Sequence, residues 1–243
     1  MTATERARSP RQDGATRLVQ SLGGRFSVAM GVDLESLDKR ELFKWFVAAV
    51  LFGAPISQEI ATRTYGELSD NALLSPKALL RRGWDGLVKV LDKGGYVRYD
   101  FKTATKLLDL SKALLDGYKG DLNNLHDAAS DPKDLEQRLE DLAKGIGAVT
   151  AGIFLRELRG LWPKAQPRLS GLVLTAARDL RLLSRRSTDP GRALQRLQKV
   201  WLGEGNRKKD FPDFDAALVR YGLQLRRRTV HIETLAACRR LKQ

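Results

Sequence analysis

The sequence has 243 residues, of which 42% are hydrophobic and 30% charged, a composition typical of a soluble globular protein. Its formal net charge of +14 and pI of about 10.1 favour a polyanion as the partner. The longest apolar run, 45–54, is about half of a bilayer span, and the N-terminus lacks the apolar core of a signal peptide. We therefore expect no membrane partner and a cytoplasmic location, on the nucleoid.

The residues that usually hold metals and clusters are scarce. Cys238 is the single cysteine, which excludes an internal disulfide and a site made from several thiolates. The two histidines, His126 and His231, lie in separate segments and form no recognisable zinc pattern. Action without a cofactor is the expectation, with Cys238 as a packing residue.

Apolar residues recur at helical intervals along the chain, with no strand-like alternation, so the predicted fold class is all-α. Residues 1–15 lack such a pattern and are predicted to form a disordered basic tail. Helices are predicted over 16–22, from a cap at Asp33 or Ser36 to Leu51, and over 57–68, 76–80, 83–91, 102–115, 121–129, 134–143, 152–160, 170–183, 190–202, 213–221 and 229–241.

A turn of sequence Gly-X-Gly joins two of these helices, within 142–151. With no Cβ on Gly145 or Gly147, and with a helix dipole behind them, the backbone N–H groups at the start of the second helix suit a phosphate. The residues predicted to bind a DNA backbone are Lys144, Gly145, Ile146, Gly147 and Thr150, with the Ile146 side chain holding the two helices together. An ordinary helix connection with a glycine C-cap is the alternative interpretation.

The pattern Leu-x-x-Gly-Ile-Gly-x-x-Thr-Ala over 142–151, followed by an apolar helix, resembles the helix-hairpin-helix of endonuclease III-type (HhH-GPD) DNA glycosylases. Gly95-Tyr96 and Trp162-Pro163 extend the resemblance over roughly 43–183. It implies a terminal helical subdomain (16–52 with 164–243), a central one (53–163) and a DNA-binding cleft between them. It also implies a double-stranded DNA partner, a structural monovalent cation at the hairpin and a monomeric state.

The resemblance fails at the positions that carry the chemistry of the family. Arg168 lies at or next to the position of its catalytic aspartate, and no Asp or Glu occurs between Arg159 and Ala177. Val149 occupies the position of the lysine used by strand-cleaving members, so we expect no lyase chemistry through a Schiff base. The iron–sulfur cysteines are absent as well. Many members of the family use a glutamine to fill the gap that a flipped base leaves in the DNA. Ala54 stands at that position here, and Gln58 lies one helical turn later.

We expect a monofunctional base-excision repair glycosylase acting on damaged bases, with alkylated purines as candidates because a cationic base departs neutral. The catalytic residue is unassigned, although Glu59, Asp100 and Asp179 are candidate carboxylates that also suit solvated or capping roles. The aromatic candidates have core packing as their alternative role. The candidate base-pocket residues are Trp45, Gln58, Tyr96, Tyr99, Trp162 and Arg168.

Two other hypotheses remain open for the sequence. A non-catalytic protein that binds damaged or bent DNA on the same scaffold explains the missing carboxylate, with Arg168 as a phosphate or minor-groove contact. A structural or RNA-binding helical protein is the second, and it accounts for the basic charge alone. Much of that charge lies in the last quarter of the sequence, because residues 178–243 contain 17 Lys and Arg against 7 Asp and Glu.

Overall fold

The computed structural model describes residues 14–184 and 189–240, with side chains as far as Arg228. The regular structure of these residues is helical, which confirms the all-α prediction. The α-helices are α1 Gly14–Leu22, α2 Phe26–Ala29, α3 Lys39–Phe52, α4 Gln58–Asp70, α5 Pro76–Lys93, α6 Asp100–Tyr118, α7 Leu122–Ala128, α8 Pro132–Glu140, α9 Ala148–Leu158, α10 Gly171–Asp179, α11 Pro190–Gly203 and α12 Phe211–Arg240.

The chain divides into two compact units. One joins the residues up to Phe26 to those from Arg168 onward, and the other spans Ser27–Pro167. The sequence analysis predicted the first subdomain boundary after residue 52, whereas α3 lies inside the Ser27–Pro167 unit. The reason is packing: the Phe46 ring lies edge-on to that of Phe154 in α9, with 4.9 Å between centroids.

The core of the 27–167 unit is built around α3, whose residues from Leu42 to Leu51 are buried except Lys44. A helix that is apolar nearly all round requires neighbours on every side. Trp45 Nε1 donates to the Phe154 carbonyl oxygen at 3.1 Å, and Tyr96 Oη donates to that of Leu51 at 2.7 Å. Both aromatic side chains are therefore buried without an unpaired polar atom.

Short-range capping signals fix where several helices begin. Ser57, Ser75 and Ser170 each accept a backbone N–H with their side-chain oxygen, as their sequence positions predict. The prediction for α3 is wrong, since Asp38 is its cap while Asp33 accepts the N–H groups of the preceding turn. The helices predicted over 76–80 and 83–91 form one element, α5, interrupted at Gly83 with φ of 70° and ψ of 173°.

The other unit contains α1 and α10 to α12. Residues 1–13 of the predicted tail lie outside the described residues, but Gly14 and Ala15 already belong to α1. The Glu204 carboxylate accepts the N–H groups of Ala15 and Thr16 at 2.8 Å each, which fixes the start of that helix. The two segments predicted over 213–221 and 229–241 form the single helix α12. The side chains of His231 and Cys238 lie outside the described part of the chain.

Candidate nucleic-acid interface

The glycine turn predicted from the sequence joins α8 to α9. It occupies 141–147, with Gly145 in the left-handed region at φ of 90°, where a side chain would strain the backbone. The Ile146 side chain is only 5% exposed, and its N–H donates to the Ala143 carbonyl oxygen at 3.1 Å. The Ile146 side chain is therefore buried at the turn, and its amide is used internally, which corrects its predicted role as a donor to phosphate.

The start of α9 is uncapped and open. Gly147 is the N-cap residue, in an extended conformation with φ of −133° and ψ of −176°, and no side chain bonds to the first amides of the helix. A methyl group placed on Gly147 would meet no atom within 4 Å. The first N–H groups of a helix have no intrahelical partner and sit at the positive end of its dipole. An anion can therefore approach them directly.

A lysine from α6 lies over the same turn. A methyl group placed on Gly145 would come within 3.2 Å of Lys106 Cε and 3.5 Å of Lys106 Nζ. The Lys106 side chain is half-buried, and this burial lowers its pKa from the ordinary lysine value. No described residue supplies it with a hydrogen bond or an ion pair. A partly desolvated ammonium group with no counter-ion among the described residues can pair with an anion.

Lys144 and Thr150, which were also predicted to contact the DNA backbone, differ in exposure. Lys144 is exposed and remains available to a ligand. Thr150 is only 4% exposed, and its hydroxyl packs directly on Gly53, where a Cβ would overlap it. The Thr150 hydroxyl therefore faces the interior, and the predicted contact of Thr150 with DNA stays a prediction for its backbone N–H, which lies in the first turn of α9.

Three of the candidate base-pocket aromatics belong to the core. Trp45 and Tyr96 are fully buried, and Trp162 is 3% exposed with Nε1 donating to Asn123 Oδ1 at 3.2 Å. The Trp162 ring stacks on His126 at 4.7 Å between centroids. Burial also raises the pKa of Tyr96. These three rings have no accessible face for a base, so the core alternative accounts for them.

The other candidates are accessible. Gln58 is the first residue of α4, and Tyr99, which precedes α6, lies 6.3 Å from the Tyr96 ring; both are half-exposed. Arg168 is exposed in the segment before α10. Val149 is 67% exposed, so the first turn of α9 presents an apolar side chain.

The candidate carboxylates have structural partners. Asp179 accepts from Tyr221 Oη at 2.8 Å, and Asp100, which is 8% exposed, accepts the Phe101 N–H at 2.7 Å. A hydrogen bond with Asp100 raises the pKa of Asp92, because two neighbouring carboxyl groups favour sharing a proton. Sequence reasoning missed this pair, as Asp92 and Asp100 lie on separate helices. It also placed Lys106 within the helix predicted over 102–115 without connecting it to the glycine turn.

No protein-family model matches this sequence. No curated protein is significantly similar to it either, so the family resemblance depends on the motif residues themselves. None of the described helices has both the length and the apolar character needed to cross a bilayer.

A second basic surface lies in the unit that contains α10 and α11. Arginines line a hollow beside the C-terminal end of α10, and Arg226, Arg227 and Arg228 are exposed along α12. The arginines of the hollow are Arg178, Arg181, Arg192 and Arg196. This surface accounts for part of the positive charge found in the last quarter of the sequence.

Proposed function

We propose that this protein binds double-stranded DNA through the 141–147 turn, as a base-excision repair protein of the helix-hairpin-helix glycosylase type. The observation that carries the proposal is the half-buried, unpaired Lys106 ammonium lying over Gly145, beside the open first turn of α9. A phosphate placed there would accept backbone N–H groups and pair with a cation that is already partly desolvated. Hydrogen bonds to a charged group contribute about 1.5–3 kcal/mol each.

The reaction that suits the proposal is monofunctional hydrolysis of an N-glycosidic bond. Positive charge develops on the sugar, and a carboxylate that stabilises it is typically worth about 3–4 kcal/mol. No carboxylate lies between Arg159 and Ala177, so the substrate must have a weaker bond. Alkylated purines meet this condition because a cationic base leaves neutral. Val149 offers no amine for a covalent intermediate.

Exposed Arg168 favours a second candidate function, a protein that recognises damaged or bent DNA without chemistry. A cation at this position would oppose the charge that develops on the sugar but would attract a phosphate. The binding surface proposed for the turn is the same in both cases.

A panel of damaged duplexes distinguishes the two candidates. Duplexes carrying one alkylated, oxidised or deaminated base are incubated with the protein and then treated with alkali, which cleaves abasic sites. Cleavage above background with the alkylated duplex is the result expected of the glycosylase. Binding to the damaged duplexes without cleavage across the panel would establish the non-catalytic protein instead.

Lys106→Met should lower the salt dependence of duplex binding by about one unit of slope, because one phosphate contact contributes about 0.9 units. Methionine keeps the apolar part of the side chain and removes a charge whose burial costs free energy. The midpoint of thermal unfolding should therefore stay the same or rise. Binding is measured by anisotropy at several salt concentrations. Lys112→Met, on an exposed position of the same helix, is the matched control and should leave the slope unchanged.

The same titration tests the arginine cluster of α12. Replacing Arg226, Arg227 and Arg228 together should reduce the slope by about one unit for each phosphate that these arginines neutralise. An unchanged slope would assign these three exposed side chains to solvent. An unchanged slope for Lys106→Met as well would remove the turn from the DNA interface.

A further inference from the structure

An aromatic pair is exposed on the surface formed by α5 and α6. The Trp84 and Phe101 rings lie 5.2 Å apart between centroids with 42° between their planes. Trp84 is 40% exposed and Phe101 57%. The other three tryptophans, Trp45, Trp162 and Trp201, are no more than 5% exposed. Two large neighbouring rings that stay exposed are a candidate binding surface.

Hydrogen bonds hold the pair in a fixed orientation. Trp84 Nε1 donates to Thr105 Oγ1 at 3.0 Å, and Thr105 Oγ1 donates to the Phe101 carbonyl oxygen at 3.0 Å. The indole N–H is thus satisfied while the ring stays accessible. The left-handed conformation of Gly83 ends the first segment of α5 directly before Trp84, which sets the direction of that side chain. The surface is therefore preorganised for a flat ligand.

The residues that flank the pair in sequence are mainly cationic. Arg81, Arg82, Arg98 and Lys102 are exposed, against Asp85 as the exposed acid beside Trp84. Lys106, which lies over the glycine turn, directly follows Thr105 on α6, so the two contacts are on adjoining faces of one helix. The aromatic pair and the proposed phosphate site thus both include residues of α6 in this unit.

We propose that Trp84 and Phe101 form a stacking platform for an unpaired base of DNA, with the flanking cations holding the phosphates of the same strand. This inference extends the proposed function and depends on it. Every base has a π-face that stacks on an aromatic ring, and cations along the backbone supply sequence-independent affinity. A second copy of this chain suits the surface less, since it would bring the same positive charge to the contact.

The fluorescence of Trp84 reports directly on a stacked base, because the other tryptophans are buried. We expect titration with a 15-nucleotide oligothymidylate to quench the intrinsic fluorescence of the protein. Trp84→Phe should remove most of this quenching while retaining a ring in the platform. Quenching that is equal in the wild type and in Trp84→Phe would overturn the assignment.

The affinity of a labelled oligothymidylate, measured by anisotropy, gives the second test. Trp84→Ala and Phe101→Ala should each weaken binding by about 5- to 150-fold, the range for loss of one stacked base. Leu202→Ala is the matched control, since Leu202 is 45% exposed in the other unit, and its affinity should equal that of the wild type. Unchanged affinity in both ring variants would overturn the platform.

The outcomes separate this inference from the function on which it depends. The platform would be overturned if both ring variants bound oligothymidylate as tightly as the wild type. The proposed function would still stand in that case if Gly147→Asp weakened the binding of duplex DNA. Absence of binding to either nucleic acid would overturn both. A dimer seen by sedimentation that Trp84→Ala dissociates, without quenching by DNA, would assign the surface to a second copy of the chain and so overturn the platform.

Discussion

Gly147→Asp should weaken duplex DNA binding at least 100-fold and leave the protein as stable as the wild type or slightly more stable. The new carboxylate would lie at the uncapped start of α9, where it competes for the amides and repels phosphate. Losing two hydrogen bonds to a charged group costs about 3–6 kcal/mol, which corresponds to this factor or more. Aspartate is also a better N-cap than glycine by a few tenths of a kcal/mol.

Two control variants isolate the cause. Gly147→Asn caps the helix without a charge and should bind more tightly than Gly147→Asp. Gly152→Asp puts the same charge on α9, five residues beyond the turn, at another position where an added Cβ meets nothing within 4 Å. Binding by anisotropy and thermal unfolding by circular dichroism are measured for each. Equal affinities for the Gly147→Asp and Gly152→Asp proteins would show that the turn does not contact DNA.

Trp45→Ala should lower the free energy of unfolding by about 3–5 kcal/mol, the usual cost of removing a large buried aromatic side chain. Trp45 is completely buried in α3, and the variant also removes the indole N–H that donates to the Phe154 carbonyl oxygen. Since small domains have a total stability of about 5–15 kcal/mol, this loss is a large fraction of the total. Denaturant unfolding measures the loss.

Trp45→Phe is the control, because it keeps most of the ring and loses the hydrogen bond. We expect it to cost only part of the free energy lost in Trp45→Ala. If Trp45 instead stacked on a DNA base, Trp45→Ala would stay stable and lose affinity for damaged duplexes. Wild-type stability of Trp45→Ala would therefore contradict the core position and return this residue to the base pocket.

The sequence alone determined the helical class and much of the local structure. Helix starts at Ser57, Ser75 and Ser170 were predictable because a capping side chain bonds to amides only two or three residues away. The break at Gly83 and the left-handed turn at Gly145 were predictable for a similar reason, since glycine alone reaches these conformations without strain. Such signals act within a few residues and need no information about the rest of the fold.

Only the tertiary structure decided which side chains are accessible. Trp45 bonds to Phe154, 109 residues away, while Trp84 remains on the surface. The Thr150 hydroxyl turned inward toward Gly53, and Lys106 came to lie over Gly145. The predicted boundary after residue 52 moved because α3 packs on α9. Each outcome depends on contacts between distant segments, whose free energy is set by how whole helices pack and cannot be read from neighbouring residues.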